Sequence, residues 1–135
     1  MFYETTLTIP AGTPENSPVE TDLKLTQGVI HRVEVEFRSG CDHQVGIRMK
    51  REGAQLYPTN PDGDFKGDGR SIMFDDHKSL DTSPYEVKII GYAPNANYDH
   101  TVYIRIGVLP RDIITPLSGY GVLFKKFFAL VGVKQ

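Results

Sequence analysis

The sequence predicts an all-β fold, an antiparallel β-sandwich of about eight strands with a jelly-roll or Greek-key order, followed by a C-terminal amphipathic helix. Apolar and polar residues alternate over most of the first 109 positions, which is the pattern of half-buried strands. Short clusters rich in Gly, Pro, Asn and Asp separate these runs, as turns do. No helical repeat lies between the runs, so a parallel sheet with crossover helices is not expected.

The predicted strands lie at 3–9, 19–25, 29–37, 45–49, 55–57, 72–74, 85–89 and 102–108. In the clearest of them, Val29, Val33, Val35 and Phe37 share one face. His31 falls on that same face and is therefore expected to be a hydrogen-bonded core histidine. The polar run 75–83 is expected to be a connection outside the strands.

The 135 residues are the usual size of one domain. The net charge is −2, and the last 19 residues carry Lys125, Lys126 and Lys134 without an acid, which leaves −5 on residues 1–116. An acidic body opposes the approach of phosphates, so nucleic acid is not the expected partner.

The chain has one cysteine, Cys41, so an intrachain disulfide is not possible. The N-terminal segment MFYETTLTIP has no basic region and no long apolar run, which argues against a signal peptide. No stretch of about 18 apolar residues predicts a transmembrane helix. The expected location is a virion or the cytoplasm.

The loop 58–70 is the best candidate for a metal site. Asn60, Asp62, Asp64 and Asp68 carry the oxygen ligands that Ca²⁺ takes. Their spacing does not match the EF-hand pattern, and Asn and Asp are also ordinary turn residues. The four histidines are scattered without zinc-ligand spacing, so neither a metal nor another cofactor is predicted.

Catalytic signals are weak as well. Cys41 follows Gly40 in a turn, and only Arg38 nearby could lower the pKa of its thiol. Asp75 and Asp76 are adjacent on the chain, so they point to opposite faces of a strand and cannot share a proton. The chain is therefore predicted not to be an enzyme.

The C-terminal arm, residues 117–135, follows a linker at 110–116 that comes after a sandwich domain at 1–109. Its large apolar residues have helical spacing, with Ser118 as a candidate N-cap and Gly132 as the stop. The arm is expected to cover its own domain, to dock on a neighbouring subunit or another protein, or to lie on a membrane surface through 117–133. The candidate interface residues are Tyr120, Leu123, Phe124, Phe127, Phe128 and Val131.

With its mid-chain segment YPTNPDGD at 57–64 and its apolar arm, the chain resembles small β-sandwich proteins that build or decorate virus and phage particles. The resemblance implies a non-enzymatic homo-oligomer, a trimer or higher, that holds its neighbours or a capsid protein with a terminal arm. The alternative is a carbohydrate- or ligand-binding module that uses the loop 58–70 and exposed Tyr57, Tyr92 or Tyr98.

Overall fold

A computed structural model provides the structure, which describes residues 1–110; the predicted linker beyond Pro110 and the predicted helical arm lie outside them. The described part is all-β, as the alternation predicts, and contains eight strands. They are β1 (Phe2–Ile9), β2 (Val19–Lys24), β3 (Gly28–Phe37), β4 (Gly46–Arg51), β5 (Ala54–Tyr57), β6 (Arg70–Leu80), β7 (Glu86–Tyr92) and β8 (His100–Pro110).

The strands form two four-stranded antiparallel sheets. The first sheet has the order β1-β8-β3-β6, and the second has the order β2-β7-β4-β5. The pairs are nested along the chain, since β1 pairs with β8, β2 with β7, β3 with β6 and β4 with β5. Strand β6 is one edge of the first sheet, and the short strand β5 is one edge of the second.

The core lies between the sheets and takes side chains from both. Phe37 and Ile104 of the first sheet and Ile47 and Ile89 of the second are almost completely buried in one apolar cluster. Cys41, in the connection from β3 to β4, belongs to the same cluster. The predicted turn cysteine is thus also a core residue.

Strand β3 contains a β-bulge that the alternating pattern does not reveal. Ile30 lies opposite Val108 and Arg32 lies opposite the adjacent Gly107, so His31 is an extra residue on the β3 side. The inward face therefore changes from even to odd positions, and Ile30 rather than Val29 joins the core cluster. His31 is half-buried and is not a core histidine, so the prediction for that face was wrong at Val29 and His31.

Strand β6 is longer than predicted, because it continues through the polar run to Leu80. Backbone pairing with β3 continues from Phe37↔Arg70 to Gly28↔Leu80. The polar residues 75–79 can belong to the strand because β6 is at the edge of its sheet, where the side chains remain in contact with water.

Candidate functional site

The loop between β5 and β6 is fastened to the outer face of the second sheet by Arg48. The Arg48 Nε donates to the carbonyl of Gly63 at 2.9 Å, and Nη2 donates to the carbonyl of Asp62 at 3.1 Å. The same Nη2 lies 2.5 Å from a carboxylate oxygen of Glu15. The Arg48 guanidinium therefore places a positive charge beside two carbonyl oxygens of the loop and the carboxylate of Glu15.

A second side chain, Gln55, completes this attachment. Its amide nitrogen donates to the carbonyls of Pro58, Asn60 and Gly63 at 2.8, 3.0 and 3.1 Å. Backbone carbonyls are among the oxygen ligands that Ca²⁺ takes. Here they accept hydrogen bonds from the protein itself.

Tyr92 also holds the loop. Its hydroxyl donates to the Asp64 carboxylate, and its ring lies under the Arg48 guanidinium, 5.1 Å from the ring centroid. Gly46 leaves room for the ring, because a Cβ there would come within 2.5 Å of the Tyr92 Cζ. Burial first, and then the hydrogen bond to Asp64, raise the pKa of Tyr92.

The four candidate metal ligands do not converge. Asp64 accepts from Tyr92, whereas Asp68 accepts from the backbone N–H of Gly40 at 2.8 Å. The Asn60 side chain packs against Gly63, and Asp62 contributes its backbone carbonyl to Arg48. Within residues 1–110, no group of three or more His, Cys, Asp or Glu side chains is arranged to hold a metal ion.

The aromatic side chains considered for ligand binding are mostly not accessible. Tyr57 and Tyr92 are each only 4% exposed, so the prediction that they form an exposed binding surface was wrong. The Tyr57 ring belongs to the core cluster, whereas the Tyr92 ring is covered by Arg48 and by the loop that carries Asp64. Tyr98 is 74% exposed but stands alone as a candidate sugar platform.

The candidate nucleophile is also enclosed. Cys41 has no exposed surface, and burial raises the pKa of its thiol. A thiol with a raised pKa is a poor nucleophile at neutral pH. As expected, Asp75 and Asp76 point to opposite faces, since Asp75 bonds Arg32 at 3.1 Å and Asp76 accepts from Tyr57.

Strand β6 carries apolar side chains on both of its faces. Phe74 packs its ring edge against Tyr57 at 5.2 Å between centroids and lies 5.7 Å from Phe65. The next residue towards the N-terminus, Met73, is 54% exposed on the other side of the strand. The Tyr57–Asp76 hydrogen bond joins this edge to β5 of the second sheet.

A network of ion pairs crosses the outer face of the first sheet. Arg105 on β8 lies 2.7 Å from Glu4 on β1 and 3.1 Å from Glu36 on β3. Arg32 on β3 lies 3.1 Å from both Glu34 and Asp75. Two arginines thus face four carboxylates in this network.

Sequence reasoning missed Arg48, Gln55 and Met73. Arg48 and Gln55 sit on the polar side of predicted strands and carry no local motif, since their partners in the loop are separated from them by up to 15 residues. Met73 was hidden between the two apolar residues of a strand predicted to be short. Its exposure follows from the position of β6 at the edge of the sheet, which the local pattern does not contain.

Comparisons with known proteins add little. No protein-family model matches the chain, and no curated protein matches it. A crystal structure of FlhE is similar with a TM-score of 0.41 and 10% sequence identity, covering 82% of this chain and 97% of that chain. A likeness at this level carries no argument, so the class rests on the structure itself, which is all-β with two four-stranded antiparallel sheets. Among residues 1–110, no helix is long and apolar enough to cross a membrane.

Proposed function

We propose that this protein is a non-enzymatic structural protein of a virion, a capsid or decoration component that forms a homo-oligomer through its C-terminal arm. The observation that carries the proposal is the nested strand order. The first strand pairs with the last, the second with the second last, and the inner strands pair in the same way. This is the order of a jelly-roll sandwich, an architecture that viral capsid domains use. Because a fold alone does not define a function, the arm provides the second support.

The arm has the composition of a docking element. Its six large apolar residues, spaced as a helical stripe from Tyr120 to Val131, come soon after the end of β8. Burial of such side chains contributes about 1.5–3 kcal/mol each, which is enough to drive association after its entropic cost. The arm also carries +3 against −5 on residues 1–116, so attraction between an arm and a neighbouring body is favourable.

The remainder of the chain is well suited to act as a rigid unit. The core cluster of the described residues is assembled from side chains between Leu7 and Val108. The polar groups of the loop 58–70 are engaged with Arg48, Gln55 and Tyr92. A sandwich whose loops are held in this way presents fixed surfaces to its neighbours.

The experiment is light scattering on the full chain and on a variant with two charges in the stripe, Phe124→Glu/Phe127→Glu. We expect the native chain to have a multiple of the 15.1 kDa chain mass, three or more, and the variant to have the mass of one chain. The matched control, Thr115→Glu/Gln135→Glu, adds the same charge outside the stripe and should keep the native mass.

Electron microscopy of the native assembly should then show closed rings or shells. A native chain that is monomeric at all concentrations would contradict the proposal, as would a stripe variant that assembles like the control. A monomer that binds to lipid vesicles through the stripe would instead favour the membrane as the arm's partner.

A further inference from the structure

Strand β6 is the longest of the four edge strands in the described structure. Strand β6 has 11 residues, whereas β5, the edge strand of the other sheet on the same side, has 4. Within residues 1–110, β6 pairs with β3 alone. An edge strand exposes unpaired N–H and C=O groups, which pair readily with a strand of another chain unless they are protected.

The segment 70–76 of this edge has charges and an apolar residue in a symmetric arrangement. Met73 lies in the middle of the segment and is 54% exposed. Arg70 at one end is exposed and forms no ion pair with any of the described residues. Asp76 at the other end is exposed, and Tyr57 is its hydrogen-bond donor.

We propose that two copies of this chain pair antiparallel through their β6 strands, with Met73 opposite Met73 of the partner subunit. The inference rests on the self-assembly proposed above and adds a second interface to it. In this register Arg70 lies opposite Asp76 of the partner subunit, and Ile72 lies opposite the partner's Phe74. A two-fold rotation axis relates the two strands, so both copies contribute the same residues, as in the isologous interface of a symmetric dimer.

Charge complementarity selects the partner and the register. The unpaired Arg70 of each copy meets an acidic residue of the other, so two opposite-charge pairs flank the central methionines. Asp75 introduces no repulsion, because Arg32 of its own chain already lies 3.1 Å from it. A second copy of the chain therefore pairs the charged residues of the segment 70–76.

A second register would also match charges, since a centre between Asp76 and His77 sets Asp75 against Lys78. That register falls on the irregular part of the strand. The pairing of β3 with β6 shifts between Ile30↔Lys78 and Arg32↔Asp75, so the strand bends there and a regular ladder is interrupted. Residues 70–75 precede this irregularity and pair regularly with β3, and Asp76 lies where it begins.

The test is disulfide cross-linking of the full chain by mild oxidation, read on a non-reducing gel. In Met73→Cys the two new thiols face each other across the two-fold axis, with Cβ atoms within about 5.5 Å, which a disulfide can bridge after a small adjustment. In the control Ser71→Cys, on the same face of the same strand, the thiols are about 13 Å apart along the strands. Native Cys41 is buried in both variants.

We expect a covalent dimer with Met73→Cys and at least ten-fold less with Ser71→Cys. Equal cross-linking in the two variants, or none in either, would overturn the proposal, because equal yields indicate random collision. The same pair is then made in the Phe124→Glu/Phe127→Glu background. If the Met73→Cys dimer persists in this background, the β6 interface forms without the arm and is supported even if the arm does not assemble the protein. If the dimer is lost in this background, β6 is not an independent interface and the proposal is overturned.

Discussion

At the scale of single residues, Arg48 and Tyr92 determine the conformation of the loop 58–70. The guanidinium stacks on the Tyr92 ring and bonds two loop carbonyls, while the Tyr92 hydroxyl bonds Asp64. The bond to a carboxylate is charge-assisted and therefore stronger than a neutral one. The loop's conformation therefore depends on side chains of the second sheet.

Replacing Tyr92 by Phe should destabilise the protein. The change removes the hydroxyl and leaves Asp64 without its donor while keeping the ring under Arg48, so we expect a loss of about 1–3 kcal/mol in the free energy of unfolding. Urea denaturation followed by circular dichroism measures it. Tyr98→Phe is the matched control, since Tyr98 is exposed, and its effect should stay within about 0.5 kcal/mol. Equal effects would show that the Asp64 bond contributes nothing.

The residue types of the loop could be predicted from sequence, but their roles could not. Asn60, Asp62, Asp64 and Asp68 were correctly placed in one loop, yet a ligand set requires side chains that converge, and convergence depends on backbone direction. Asp68 points to Gly40 and Asp64 points to Tyr92. Both partners come from distant parts of the sequence, which spacing alone does not reveal.

At the scale of strands, alternation predicted the existence of each strand but not its length or its irregularities. The bulge at His31 reverses the inward face within β3, so a strict period of two assigned Val29 to the wrong side. The extension of β6 to Leu80 comes from pairing with β3, which outweighs the weak strand propensity of Asp75, Asp76 and Lys78. The bulge in β3 and the length of β6 both depend on pairing between strands that are distant in the sequence, so a local pattern does not reveal them.

Glycines on the two faces of the sheets should differ in their tolerance of alanine. A Cβ at Gly91 would lie 2.7 Å from Leu7 Cδ2 and 2.9 Å from Ile9 Cγ1 in the closed core. We expect Gly91→Ala to lower the free energy of unfolding by about 1–3 kcal/mol through overpacking. Thermal denaturation with a matched buffer measures the loss.

Gly107→Ala is the control for that substitution. A Cβ there meets the outer ends of His31 and Phe2 at 2.7 and 2.8 Å, and Phe2 is exposed and free to rotate away. We expect Gly107→Ala to lower the free energy of unfolding clearly less than Gly91→Ala does. A larger loss for Gly107→Ala than for Gly91→Ala would contradict this explanation, because the core around Gly91 would then accommodate a Cβ more easily than the surface around Gly107.

At the scale of the whole molecule, the all-β class and the eight strands of residues 1–110 could be predicted from sequence, whereas the position of each strand in the two sheets could not. Runs of short strands with polar turns imply two packed sheets, but every hairpin connection allows several orders. The nested order emerges because β1 finds its partner in β8 at the far end of the domain. The six candidate interface residues of the arm lie outside the described residues and stay a prediction.

Stability of the whole domain should fall in alkali. Burial, followed by hydrogen bonds to Asp76 and Asp64, raises the pKa of Tyr57 and Tyr92 above the ordinary value of 10.0. Folded protein thus keeps protons that the unfolded chain releases above about pH 10. The stabilisation is complete below that pH and is lost progressively as the pH rises further.

Unfolding at about pH 8 and about pH 11 measures this dependence. The double variant Tyr57→Phe/Tyr92→Phe should lose less stability over this interval than the native chain. Tyr98→Phe, which removes an exposed phenol, should follow the native chain. A double variant with an unchanged alkaline slope would contradict the role of the two buried hydroxyls.

The pairing of β1 with β8 also has a consequence for synthesis on the ribosome. Phe2 lies opposite Gly107 and Ile9 opposite His100, so β1 is translated long before β8, its hydrogen-bonded neighbour in the sheet. Contacts so distant along the chain make folding slow, on the scale of milliseconds to seconds for all-β domains. During that interval the nascent β1 is an unpaired strand, and chaperones or simple dilution must keep it from associating with other chains.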